Sequence, residues 1–147
     1  MRLVIASLIT ALLLPVPVIA QSESETEREV KQTIVEDVQY TKENLQARPG
    51  SYSKHGAVEF WSSGGLLNEV SPDGRPEGFD VFNIEPKHIK VITLVEGEAA
   101  VANFYSEGSL KPKGYPAVSH YLTRVTQVFV KEDGKWLCIH GHYTAVP

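Results

Sequence analysis

Near the end of the 147-residue chain, His140-Gly141-His142 sets two imidazoles two residues apart, with Gln127 in the preceding hydrophobic run. Upstream, Asn103, Tyr105 and Glu107 repeat at the same spacing. Residues i, i+2 and i+4 of a strand share a face, so an amide, a phenol and a carboxylate can converge there with His140. A His140 or Glu107 base, with Tyr105 donating to a developing oxyanion, would remove a proton beside a carbonyl and hold the enolate. That makes His140, Glu107 and Tyr105 the candidate catalytic set. The plain alternative has His140 hydrogen-bonded to Gln127 across a strand pair, with Glu107 in solvent at a strand end.

The same histidines suit zinc, copper or iron, but a third ligand would have to come from Glu107, His120 or His55, and no motif fixes it. No metal and no cofactor is therefore expected. Ser62-Ser63-Gly64-Gly65 lacks the lysine of a phosphate loop, and there is no Gly-x-Ser-x-Gly nucleophile elbow. Aromatic residues including Tyr40 and Trp61 are either walls of an apolar pocket or plain core. The candidate ligand-binding set is Tyr40, Trp61, Asn103, Tyr105, Gln127, His140 and His142.

These residues need elements to position them. From Thr26 to Leu45, apolar residues at helical spacing face a charged side, Ser24 and Glu27 form a capping box, and Arg48-Pro49-Gly50 stops the run. Ala57 to Trp61 reads as a short strand or irregular segment, and Ser71 to Gly78 as a loop. His88 to Val95 and Ala99 to Ser106 form a hairpin across Glu96-Gly97-Glu98. Tyr121 to Val130 and Lys135 to Tyr143 form another across Asp133-Gly134, a dipeptide suited to a two-residue turn. Counting outward from that turn pairs Phe129 with Cys138, Gln127 with His140 and Val125 with His142. One face then carries these six residues and Trp136, as a cavity wall would. The other carries Val128, Val130, Leu137 and Ile139, as core or subunit interface, with Arg124 and Tyr143 at its end. A helix followed by a meander of strands argues for an α+β fold.

The run Thr126-Gln127-Val128-Phe129, then Asp133-Gly134-Lys135-Trp136 and His140-Gly141-His142-Tyr143-Thr144, resembles a known closing hairpin. It belongs to the association domain of calcium/calmodulin-dependent protein kinase and to SnoaL-like relatives in the nuclear-transport-factor-2-like superfamily. A weaker likeness runs back through Pro86 to Tyr105. The resemblance implies a cone: a strongly bent antiparallel sheet wrapped around N-terminal helices, with an internal pocket at the wide end, in a homodimer or larger homo-oligomer. Kinase association domains line that pocket with arginines where this sequence has Gln127 and Glu107. Because the superfamily holds enzymes, binding proteins and assembly modules on one scaffold, three functions are expected. The first is binding of a small, largely apolar organic molecule. The others are a cofactor-free isomerase, cyclase or hydratase with a His or Glu base, and an oligomerisation module without catalysis.

Met1 and Arg2, the apolar run from Leu3 to Val16, and Val18-Ile19-Ala20 read as a signal peptide over residues 1–20, cleaved before Gln21. The alternative, an uncleaved anchor, has an apolar stretch shorter than the ~20 residues that span a bilayer. A periplasmic or secreted domain over 21–147 is the expectation. It keeps thirteen basic and eighteen acidic residues, a balance that offers no basic field for nucleic acid or for a membrane after cleavage. The single cysteine, Cys138, lies between Leu137 and Ile139 and reads as a buried, inert thiol.

Overall fold

The computed structural model describes residues 22–74 and 77–147. The expected signal peptide lies outside them, as do Arg75 and Pro76 of the expected loop. Helix α1 spans Glu25–Asn44. Ser24 caps it: its hydroxyl accepts from the Glu27 amide at 3.2 Å while the Glu27 carboxylate accepts from the Ser24 amide at 3.3 Å. It stops earlier than Arg48, because Leu45 turns left-handed (φ 56°) and its N–H reaches Thr41 at 2.8 Å.

Six strands follow: β1 (Ala57–Phe60), β2 (Asn68–Val70), β3 (Phe79–Val95), β4 (Ala99–Pro112), β5 (Val118–Glu132) and β6 (Lys135–Ala145). They form one sheet in the order β2-β1-β6-β5-β4-β3. Both expected hairpins are present, β3 and β4 being longer than the sequence suggested. Asp133 (φ 49°) and Gly134 (φ 77°) make the β5–β6 turn with the two positive φ angles that match strand twist. Two expectations are corrected. The sheet is not wholly antiparallel, since β1 runs parallel to β6, and the described residues hold one helix rather than several.

Long strands bend where an extra residue interrupts the ladder. One interruption is at Gly108, whose φ of 146° only glycine tolerates well and where a Cβ would meet the Asn83 carbonyl at 1.9 Å. The sheet's inner face buries Ala100, Ala102, Phe104, Val125, Phe129, Trp136 and Cys138 against Val30 and Ile34 of α1. Glu29 pins the helix there, accepting from Lys131 Nζ at 2.7 Å and Trp136 Nε1 at 2.8 Å. The lysine bond, then the indole, hold its carboxyl below the usual carboxylate range.

Candidate functional site

A second interruption decides which side chains meet. On β5 and β6, Phe129 pairs with Cys138 as expected, but Val128 then pairs with His140, so Ile139 is the extra residue. Beyond it, Gln127 pairs with Gly141 and Val125 with Tyr143. A shift of one residue reverses every later side chain. The register expected for Gln127–His140 and Val125–His142 is thereby corrected: Gly141 and Tyr143 take the inner face, and His140 and His142 the outer.

The contacts agree with that reversal. Gln127 Nε2 donates to the Tyr143 hydroxyl at 3.1 Å. The rings of His140 and His142 lie 6.4 and 5.5 Å from that of Phe60, itself 40% exposed. Asn103, Tyr105 and Glu107 do share a face, as expected, but it alternates with the buried Ala102, Phe104 and Ser106 and is therefore the outer one. Asn103 Oδ1 accepts from Thr126 Oγ1 at 2.9 Å, and Thr126 pairs with His142. Tyr105 pairs with Arg124 and has the His88 ring 6.3 Å away. Of the candidate set, then, Asn103, Tyr105, Glu107, His140 and His142 lie on the outer face, Asn103 and His140 half-buried and the other three exposed, while Gln127 lies on the inner one. Tyr40 is half-buried on α1.

Trp61 joins the interior through a residue that sequence reasoning passed over. Glu59, beside Gly141 across the β1–β6 pair, is 0% exposed. Trp61 Nε1 donates to its Oε2 at 3.0 Å, and the Tyr52 hydroxyl to its Oε1 at 3.4 Å. Gly141 makes room for this carboxylate: a Cβ there would meet Glu59 Oε1 at 3.0 Å and the Tyr143 ring at 2.9 Å. One interior row therefore runs Glu59, Gly141, Gln127, Ala102 from β1 to β4, and the next holds Tyr143, Val125 and Phe104. A third row holds Ala145, Thr123 and Ser106. The signal available in sequence was Ala57-Val58-Glu59-Phe60, where alternation sets Glu59 beside Ala57, both buried.

Cys138, packed by Tyr52, has its thiol pushed up to about 12, first by burial and then by the negative charge of Glu59. It is inert as a nucleophile. Asp37 on α1, bonded to Arg48 at 3.2 Å, is raised by burial to about 6 despite that arginine. Its folded form favours the proton, so the stability it withholds at neutral pH returns as pH falls through 6 towards the unfolded carboxyl value near 4. Replacing Asp37 by Asn is expected to remove that gain, roughly 2 kcal/mol in the pH 4 to pH 7 change of unfolding free energy, read from urea titrations of wild type and variant. Parallel profiles would remove Asp37 from the account.

Thr123 is 1% exposed, and its hydroxyl has no hydrogen-bond partner among the described residues. Its replacement by Val keeps the shape and deletes an unsatisfied group, so thermal unfolding is expected to show a gain of about 1 kcal/mol. A loss instead would mean the hydroxyl is held by buried water.

Among the described residues no group of three His, Cys, Asp or Glu could hold a metal ion, and no helix is long and apolar enough to cross a membrane. No family model and no curated protein matches the sequence. Solved structures do match. A candidate calcium/calmodulin-dependent kinase II association domain from Exiguobacterium sibiricum is 14% identical, with TM-score 0.61 over 86% of this chain and 98% of that one. A nuclear-transport-factor-2-like protein of unknown function from Pseudomonas putida is 17% identical, with TM-score 0.59 over 82% and 87%. The C. elegans kinase II association domain is 16% identical, with TM-score 0.50 over 82% and 99%. At such identities the likeness is one of fold: the chain has the nuclear-transport-factor-2-like α+β cone.

Proposed function

We propose that this nuclear-transport-factor-2-like domain binds a small organic molecule against the inner face of its sheet. The observation that carries the reading is Glu59, a wholly buried carboxylate held by Tyr52 and Trp61. Gln127 and Tyr143 stand beside it, over a wall of Phe104, Val125 and Phe129. A few convergent polar groups beside apolar side chains are what orient a ligand. In the enzymatic alternative, Glu59 replaces His140 and Glu107 as the base.

Self-association is a second reading, favoured by the outer face. Val58, Phe60, Ile92, Leu94 and Tyr105 are each more than a third exposed there, and surface of this kind marks an interface. The neighbours named as association domains support a homo-oligomer. We further propose export, with residues 1–20 removed.

Native mass spectrometry of the purified protein tests all three. The expected result is an oligomer of chains beginning at Gln21, carrying a small molecule that leaves on activation. Bare chains overturn the binding reading, a monomer the second, and an intact N-terminus the third.

A further inference from the structure

Helix α1 packs mainly against β3, and beside β6 it leaves a cleft of about 570 Å³ between its own flank, the loop of residues 48–51 and residues 134–137. That volume is within the range that holds small ligands. Glu59, Gly141 and Gln127 line no part of it, so it is independent of the inner-face site. Gly50 and Gly134 leave its rims uncrowded, since a Cβ built on either meets nothing within 4 Å.

The lining residues of α1 repeat at helical spacing, with Arg28, Gln32 and Glu36 in one row and Glu29, Thr33 and Asp37 in the next. Partners on the other wall locate the two ends. Trp136 Nε1 donates to Glu29, which sets the start of β6 beside the first turns of the helix. Arg48 bonds Glu36 at 3.3 Å and Asp37 at 3.2 Å, which sets the loop beside the later ones. Arg28 and Glu36 stand about 12 Å apart along the axis, at 1.5 Å per residue.

Charge is divided unevenly between those ends. At the first, Glu29 is paired with Lys131 at 2.7 Å and feels Arg28 only at a distance. Arg28 and Lys135 form no ion pair or side-chain hydrogen bond among the described residues. That end is net positive. At the other, two carboxylates share one guanidinium, so it is net negative. Asp37 shows how incomplete the sharing is: burial raises its carboxyl to about 6 even with Arg48 beside it. A further cation placed there would repay the lost hydration that the arginine does not.

An anion or a cation alone would be repelled at one end, and a neutral molecule would gain from neither. A zwitterion whose charges lie far apart matches both. Three extended residues of peptide span at most about 10–11 Å, and their amide groups suit a middle lined by Gln32, Thr33 and Ser51. We propose that this cleft is a second site, which takes a short peptide by its free termini. The C-terminal carboxylate lies between Arg28 and Lys135, the N-terminal ammonium against Glu36 and Asp37, and a tripeptide's length joins them.

Triglycine, N-acetyltriglycine and triglycinamide share one backbone and carry both terminal charges, the carboxylate alone and the ammonium alone. Each is titrated to millimolar concentration into isotope-labelled protein and followed by amide chemical shifts. Triglycine is expected to shift the amides of Gly50, Ser51, Gly134 and Trp136, and to bind at least ten-fold more tightly than either blocked peptide. Arg28→Gln should reduce triglycine to the affinity of triglycinamide and leave triglycinamide unchanged. Asp37→Asn should weaken triglycine several-fold and leave N-acetyltriglycine unchanged. N-acetyltriglycine or triglycinamide binding as tightly as triglycine overturns the zwitterion, the first by removing the acidic end and the second the basic one. No shifts, or shifts confined to residues outside the cleft, overturn the site itself. The inner-face reading is untouched by any of these results and stands or falls on native mass spectrometry.

Discussion

Glu59→Ala is expected to lower the thermal unfolding midpoint by roughly 10 °C, the cost of about 3 kcal/mol in a domain of this size. The side chain is 0% exposed, so its removal leaves a cavity and takes the acceptor from Trp61 Nε1 and the Tyr52 hydroxyl. Donors stripped of a buried acceptor cost about 1–3 kcal/mol each. Opposing this is the cost of desolvating a carboxylate, which its removal refunds. Differential scanning calorimetry decides which effect wins, with Glu59→Gln as the control. The amide keeps the shape and one acceptor oxygen, so its loss should be well under half that of Ala. A midpoint that stays or rises in Glu59→Ala would show that desolvation exceeds what the hydrogen bonds return, and that the carboxylate is kept for another reason. Gly141→Ala probes the same spot from the neighbouring strand. Its Cβ would press on Glu59 and Tyr143 at 3.0 and 2.9 Å, an overpacking of about 1–3 kcal/mol. That cost should shrink in the double variant, because residues in contact do not act additively.

How far the site was legible in the sequence turns on Ile139. The helix, its capping box, both hairpins and the Asp133-Gly134 turn follow from local rules that this chain obeys: periodicity, cap chemistry and positive φ at a turn. Counting outward from the turn gave Phe129–Cys138 correctly and failed one step later, since nothing in Leu137-Cys138-Ile139-His140 announces an extra residue. A bulge is a tertiary device, set by the bend the sheet needs around α1, and apolar residues occupy it as readily as they occupy a regular strand. Its consequence was to exchange His140 and His142 for Gly141 and Tyr143 on the inner face. Asn103, Tyr105 and Glu107 were correctly grouped, yet period 2 tells which residues share a face and not which face is inside. Here the small and apolar Ala100, Ala102 and Phe104 claim the interior. Glu59 was hidden for a different reason. A four-residue strand is too short for its alternation to stand out, and its parallel pairing with β6 joins residues about eighty apart in sequence.

The outer face yields the second large effect, through Val128→Lys. Val128 is half-buried near the middle of the sheet, between Val101 on β4 and His140 on β6, with Val58 one strand further. A two-fold interface uses one patch on both subunits, so a central residue is covered wherever the axis falls, whereas Phe60 on β1 lies towards the rim. Burying a lysine there leaves its ammonium without water, and the symmetry doubles the cost by presenting the same cation from both chains. A dissociation constant at least a hundred-fold weaker is expected, read by analytical ultracentrifugation as an oligomer becoming monomer at micromolar concentration. The subunit itself should fold as before, because in one isolated chain the lysine stem lies along the sheet and its head reaches solvent. A circular dichroism spectrum matching the wild type alongside monomeric sedimentation would therefore locate the interface on this face. Unchanged sedimentation would move it to another surface. The two variants also separate the faces: Glu59→Ala should act on stability within one chain, whereas Val128→Lys should change how stability depends on protein concentration.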